Sequence, residues 1–295
     1  FALLPLIPRQ TRLLQDFAED EPLVVTRSVF EERMGGMAPL EIVVDTGEAG
    51  GGFRPDVQRG LLALTTALRA DRFRDQGVLS ALSLPDFLSD GYAVWNERRP
   101  AFVGGLPKTP EGLAQLQFLY SGFSDPDPTR GLSDDADAPR RLRLSLRIRN
   151  LFTDDFFRLV DAVEAEARVH LPADTTVTVT GRTLMAHTVS QTVVREMLRS
   201  VATAGAFVGL LLLVCFRDLR LALLGVVASA FPLLLTGALM SLTGTTLSLS
   251  ASVVFAIVFG IAVDDTVHVI TGLQANRRRG VPSPVTATIQ QTGWA

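Results

Sequence analysis

The apolar stretch at residues 253–270 reads VVFAIVFGIAVDDTVHVI and ends in a group of ionisable side chains. Asp264 and Asp265 follow eleven consecutive apolar residues, and His268 comes one helical turn later. If this stretch crosses a membrane, its carboxylates lie where a charge is costly, and such residues mark ion or proton pathways by default. The stretch therefore predicts both a membrane span and a candidate site of proton transfer.

Two further apolar segments precede this stretch, so the last third of the chain is a candidate membrane domain over residues 186–272. Each segment is close to the roughly 20 residues that a helix needs to cross a bilayer. Pro232 lies inside the second segment, where a membrane helix tolerates it. We place the three spans at about 197–216, 219–242 and 247–272.

The charges between the spans predict their orientation. Arg217 and Arg220 lie between the first two spans, three arginines over 277–279 follow the third, and the link over 243–246 carries no charge. Basic residues concentrate on the cytoplasmic side of membrane helices. The first span is therefore expected to run inward, and the region over 9–185 to lie outside the cytoplasm.

Both groups of arginines also suggest roles at the inner membrane face. We expect Arg217 and Arg220 to anchor helix ends at lipid headgroups. Residues 273–295 are predicted to form a cytoplasmic loop and the start of an amphipathic helix. Ser283 followed by Pro284 is typical of a helix start, and this helix would lead along the inner face of the membrane.

The external region, 9–185, alternates strand and helix patterns and predicts an α+β domain. Its clearest strand is 141–149, where leucines and an isoleucine alternate with arginines. The β-α-β pattern occurs twice, so we expect ferredoxin-like packing of helices on one face of a sheet. Further strands are predicted at 40–44, 78–84 and 177–179, helices at 57–68, 113–120, 152–167 and 183–199, and an exposed loop at 124–139. The last of these helices is expected to run directly into the first span and to link the external domain mechanically to the membrane.

Composition excludes several classes of function. The net charge of −3 gives no reason to expect nucleic acid as a partner, and one cysteine, Cys215, cannot form an internal disulfide framework. No GxxxxGK[ST] motif and no convincing nucleophile–base pair is present, so we expect neither ATP hydrolysis nor an enzyme, and no cofactor or metal. The chain starts at Phe1 rather than Met. We therefore interpret it as a fragment, with residues 1–8 as the end of an upstream membrane helix.

These features together resemble the resistance–nodulation–division (RND) superfamily. The likeness is greatest to its exporters grouped with mycobacterial-membrane-protein-large (MMPL) proteins, hopanoid exporters and sterol-sensing-domain proteins. Besides the order of domains and Pro232, three motifs carry it: MGGMAPLEIVVD at 34–45, FRDLR at 216–220 and GIAVDDTVH at 260–268.

The resemblance implies a larger assembly. A protomer of the superfamily has two halves, each with one span, a porter domain and five more spans, and this chain is similar to one half up to the approach to its fifth span. Homologues are typically bacterial inner-membrane exporters with a large periplasmic domain, driven by proton influx. Their partners would be the lipid bilayer, protons, a hydrophobic or lipid-like substrate and the second half, with a homo-oligomer possible.

The resemblance also implies a site. Carboxylates at the corresponding place in the fourth span carry protons in drug-efflux relatives, and here these are Asp264 and Asp265, with a basic partner expected on the other half. On a helix, Gly260, Asp264 and His268 share one face, and Asp265 is within side-chain reach of His268. His268 could join the relay or hold an Asp in place, and Gly260 would let a neighbouring helix approach.

Each of these residues also has a structural interpretation. Asp264 could cap a helix in a soluble α/β enzyme, the pair could be structural within a bundle, or DDxxH could bind a metal. The arginines of the 141–149 strand could meet anionic lipid or substrate, but a solvated sheet face is the simpler interpretation. His170 and His187 are predicted at the surface or at helix ends.

Three functions remain open from the sequence. The first is proton-motive-force-driven efflux of hydrophobic or amphiphilic molecules by proton antiport. The second is a non-transporting receptor with a sterol-sensing domain, in which the Asp pair would be structural. The third is an auxiliary subunit of protein translocation.

Overall fold

The computed structural model describes residues 20–33, 35–123, 127–243 and 249–292. The chain divides into two compact units after His187. We call residues 20–187 the α+β unit and residues 188–292 the helical unit. The membrane helix predicted at 1–8 and the start of the third predicted span lie outside the described residues.

The α+β unit is built around a four-stranded antiparallel sheet in the order β2-β3-β1-β4. The four strands are β1 (Ala38–Asp45), β2 (Val78–Ser83), β3 (Arg141–Ile148) and β4 (Thr176–Thr180). With a helix between β1 and β2 and another between β3 and β4, this order is that of two interleaved β-α-β units. The predicted duplication of the β-α-β pattern is therefore present, and all four predicted strands exist.

Strand register follows the alternation seen in the sequence. Ile42 of β1 lies opposite Leu144 of β3, and both side chains are fully buried. The inward residues of all four strands join the apolar sides of two helices in one hydrophobic core. In α2 (Pro55–Leu68) and α6 (Thr153–His170), buried residues recur every three or four positions, as a helix packed on a sheet requires.

Four further helices complete the unit: α1 (Pro22–Arg33), α3 (Asp71–Asp75), α4 (Leu84–Trp95) and α5 (Pro110–Phe123). The prediction of strand up to Leu84 was wrong by one residue, because α4 begins there. Asp86 accepts hydrogen bonds from the backbone N–H and the hydroxyl of Ser83, both at 2.8 Å. Together with Pro85 in the first turn, this capping box starts a helix directly after the strand.

The arginines on the outer side of β3 pair within the sheet. Arg140 and Arg141 donate to the two carboxylate oxygens of Asp45 at 2.8 and 3.0 Å, and Arg143 lies 3.6 Å from Glu41. The hydrogen bond from Arg140 is the main reason that the pKa of Asp45 is held well below its usual range. These contacts hold Arg141 and Arg143 against carboxylates of β1, which is typical of a charged outer sheet face.

The prediction for His187 was wrong, whereas His170 does lie at a helix end. The imidazole of His187 is only 3% exposed. It stacks on Phe156 with ring centroids 4.3 Å apart, and its Nδ1 lies 3.1 Å from the Thr153 hydroxyl. Helical spacing places His187 on the apolar side of its helix, but no local pattern indicates the aromatic ring that covers it.

Among the described residues, three long helices have the length and composition to cross a membrane. They are α7 (Arg182–Phe216), α8 (Leu219–Thr243) and α9 (Leu249–Arg278), followed by the short α10 (Pro284–Thr292). As predicted, the amphipathic segment over 183–199 continues without a break into the first span. Pro232 lies inside α8, which runs on past it.

Candidate functional site

The helix α9 has one packed side and one open side. Phe255 is buried in a cluster with residues of α7 and α8, and Ile270 is 5% exposed. The exposed positions recur every three or four residues, so they form one continuous stripe along the opposite side. The open stripe consists of Val253, Val254, Ile257, Gly260, Ile261, Asp264, Asp265 and His268.

Asp264 and His268, which the sequence places on one helix face, approach each other on this open stripe. The Nε2 atom of His268 lies 3.4 Å from Oδ1 of Asp264, one helical turn away. Both side chains are open to the surroundings, at 69% and 74% exposure respectively. The i,i+4 spacing that the sequence contains is thus sufficient to bring the imidazole and one carboxylate together.

Asp265 lies on the same side but makes no such contact. Its side chain is exposed, and among the described residues none forms an ion pair or a hydrogen bond with it. Two adjacent carboxylates point about 100° apart on a helix. Asp264 is therefore the carboxylate engaged by His268, whereas Asp265 is free to meet a group from another helix.

The interpretation of Asp264 as a helix cap in a soluble enzyme was wrong. Asp264 lies in the interior of α9, fifteen residues after its start at Leu249, where no backbone N–H needs a cap. Within the ranges that the structure describes, no group of three or more His, Cys, Asp or Glu side chains is placed to hold a metal. Proton exchange between an imidazole and a carboxylate is what the geometry offers.

Gly260 lies one turn before Asp264, and its role in helix packing stays a prediction. A Cβ atom added at Gly260 would meet no described atom within 4 Å. The position is therefore open space in this chain. A helix that packs against Gly260 would have to come from outside the described residues.

Gly225 of α8, by contrast, is a point where three helices meet. A Cβ atom there would lie 2.8 Å from Leu212 of α7 and 3.0 Å from Ile270 of α9. Because Gly225 is near the start of α8 while Leu212 and Ile270 are near the ends of their helices, these three ends lie together. The arginines at 217, 220 and 277–279 consequently occupy one end of the bundle.

A polar cluster near that end was missed from the sequence. The amide of Asn276, on α9, donates to the Thr288 hydroxyl at 3.0 Å and to the Gln291 side-chain oxygen at 3.2 Å. Asn276 and Thr288 are almost fully buried. Helical spacing provides no signal for this cluster, because Asn276 follows the exposed Asp265 by eleven residues and so lies at nearly the same angle around α9.

The observations so far define a class of protein. An α+β unit is followed by three helices that can span a membrane, so this is a multi-pass membrane protein that carries ionisable groups inside its third span. Residues 19–295 match the MMPL family, and the chain belongs to that family. At the level of the family, this indicates an RND-type transporter of lipid-like molecules rather than an enzyme. A comparison with curated proteins finds no match.

Proposed function

We propose that this protein exports hydrophobic or amphiphilic molecules across the bacterial inner membrane and is driven by the proton motive force. The observation that carries the proposal is the Asp264–His268 contact on the open side of a membrane-spanning helix. In this assignment Asp264, Asp265 and His268 form the proton relay. The α+β unit is the periplasmic porter domain, which binds or passes the substrate.

The physical argument starts from the cost of charge in hydrocarbon. A carboxylate that leaves water must be paired or become neutral. On the open stripe, protonation therefore decides whether a neighbouring helix meets a charge or a neutral acid. A ligand or proton shifts a conformational equilibrium only through such a difference between two states, and here the difference is one unit of charge at a helix contact.

The free carboxylate of Asp265 supports a partner outside this chain segment. An exposed, unpaired charge in the middle of an apolar stripe is unfavourable in a membrane unless a cation covers it. We assign that cation to the matching span of a second half of the same transporter. The Asp265 carboxylate would pair with this cation when ionised and would bind a proton when the cation moves away, and this alternation would couple proton entry to movement of α9.

The distribution of arginines supports the proposed orientation. The arginines gathered at one end of the bundle mark the cytoplasmic side by the positive-inside rule. Asp264 and Asp265 lie between three and four turns before Arg277 along α9, near the middle of the candidate span Val253–Arg278. This depth separates the pair from both membrane surfaces, where an ionisable group has a role in passing protons.

The test is transport by the full-length protein in everted vesicles or proteoliposomes, with lipid extracts screened as cargo. We expect cargo movement to follow an imposed pH gradient and to stop when a protonophore dissipates it. Movement that persists unchanged in the protonophore would contradict the proposal. Cargo binding without any gradient-dependent movement would favour a non-transporting receptor instead.

A further inference from the structure

The C-terminal end of α9 is closed by a well-formed helix cap. Val281 donates its backbone N–H to the carbonyl of Asn276, and Gly280 donates to Arg277, both at 3.1 Å. This pair of bonds, with Gly280 at a φ of 67°, is a Schellman motif. Only a residue that tolerates this left-handed conformation permits the sharp turn, which ends α9 and reverses the chain.

The reversed chain is then held against α9 by the Asn276 cluster. Thr288 donates its hydroxyl to the Pro284 carbonyl of its own helix at 2.7 Å and receives the amide of Asn276. A buried amide with two partners is costly to separate, because each group would be left without a hydrogen bond. The helix α10 is thus fixed in place beside the end of α9.

The end of α9 and the helix α10 expose two kinds of side chain. Arg277, Arg278 and Arg279 are all exposed, and among the described residues none of the three has an ion-pair partner. On α10, Val285 and Ile289 stand one turn apart and are 53% and 60% exposed. Three free cations therefore end α9, and a short exposed apolar ridge lies on the helix that Asn276 ties to that end.

We propose that this surface, Arg277–Arg279 together with Val285 and Ile289, is a binding site for anionic phospholipids. The candidate span within α9 ends at Arg278, so the three arginines would lie at the depth of the lipid headgroups. Guanidinium groups form paired hydrogen bonds with phosphate, and an apolar ridge next to them enters the boundary with the acyl chains. A soluble acidic protein would match the charges but leave the ridge exposed, which is why a lipid is the better occupant.

The hydrogen bonds of the Asn276 cluster hold α10 in a fixed position relative to the end of α9. Arginine clusters at the ends of membrane helices attract anionic lipids simply by charge. Here the buried hydrogen bonds fix the apolar ridge relative to the arginines. The fixed arrangement predicts selectivity that depends on headgroup charge and binding strength that depends on the ridge.

The experiment is titration of the full-length protein in neutral detergent with phosphatidylglycerol or phosphatidylcholine of equal chain length, with bound lipids counted by native mass spectrometry. Each arginine near a lipid surface contributes about fivefold in affinity. We therefore expect R277Q/R278Q/R279Q to lose on the order of 100-fold of its preference for phosphatidylglycerol at low salt. I289Q should weaken the binding of both lipids by a similar factor, so the preference for phosphatidylglycerol over phosphatidylcholine should stay unchanged.

The matched control, R98Q/R99Q/K108Q, removes three exposed cations from the α+β unit and should bind as the wild type does. N276A, which keeps all three arginines but frees α10, should weaken binding and retain selectivity. A wild-type preference in R277Q/R278Q/R279Q would overturn the proposal. Complete displacement of phosphatidylglycerol by inorganic phosphate or polyglutamate at equal concentration would also overturn the proposal. The site would then recognise a soluble anion or an acidic protein.

Discussion

Phe156 in the α+β unit is fully buried, whereas Phe207 in the helical unit is 67% exposed. The first belongs to a core that all four strands and the packed helices share. The second belongs to a unit whose hydrophobic cluster has two buried members, Val194 and Phe255. Water drives apolar side chains inward, but lipid tails are as apolar as leucine and exert no such force.

Charged side chains show the opposite contrast. In the α+β unit, carboxylates such as Asp45 pair with arginines at the water-facing surface. In the helical unit, charges gather at the helix ends, and Asp264 and Asp265 interrupt an otherwise apolar stripe. What is ordinary in one unit is exceptional in the other, and this is why the Asp pair carries the functional argument.

The largest expected effect is the difference in unfolding free energy between the alanine variants of Phe156 and Phe207. Phe156→Ala would leave a cavity under the sheet and cost about 3–5 kcal/mol of unfolding free energy. Phe207→Ala should cost less than about 1 kcal/mol, because lipid tails replace the lost ring contacts. Chemical denaturation of the purified protein, followed by hydrogen exchange in α6 and α7, measures both. Equal losses of unfolding free energy in the two variants would contradict this contrast and would show that Phe207 lies in a packed interface.

A smaller effect compares two glycines of the helical unit. Gly225→Leu would force side-chain atoms into Leu212 and Ile270 and cost about 1–3 kcal/mol as overpacking. Gly260→Leu enters space that is open among the described residues, so it can lower the melting temperature only through a helix from outside them. Because we propose that a span of the second half meets the open stripe, we expect a smaller decrease in the full-length protein. An unchanged melting temperature would show that the stripe at Gly260 faces lipid rather than another helix.

The smallest effect concerns acid stability of the α+β unit. The hydrogen bond from Arg140 lowers the pKa of Asp45 in the folded protein. Its stabilising contribution is therefore fully present above about pH 4, the ordinary range of an Asp carboxyl, and is lost as pH falls towards the folded value. Asp45→Asn should lower the denaturation midpoint by more at pH 6 than at pH 2, where part of the contribution has been lost. An equal decrease at both values would show that the carboxylate charge is not involved.

Local pattern was enough for much of this fold. Alternation from Leu142 to Ile148 predicted both the strand and its buried face, because side chains of a strand point alternately to its two sides. Helical spacing likewise predicted that Asp264 and His268 share one face of α9, although Asp265 rather than Asp264 was expected within reach of His268. Each of these inferences depends on neighbours within one element.

Long-range contacts could not be read in the same way. His187 was assigned to the surface because the ring of Phe156, thirty-one residues earlier, is brought to it only by packing. The cluster of Asn276 and Thr288 depends on a chain reversal that Gly280 permits but does not by itself specify. The role of Gly260 also remains a prediction, since it depends on a helix outside the described residues.

The most direct test of the central claim is transport by a variant in which Asp264 and Asp265 are both replaced by Asn. Asn keeps the size and polarity of each side chain but cannot carry a proton. Under an imposed pH gradient, we expect this variant to reach the membrane at wild-type levels and to export no cargo. Asp218→Asn, which removes a carboxylate from the turn between α7 and α8, should export normally. Wild-type transport by the double variant would contradict the relay.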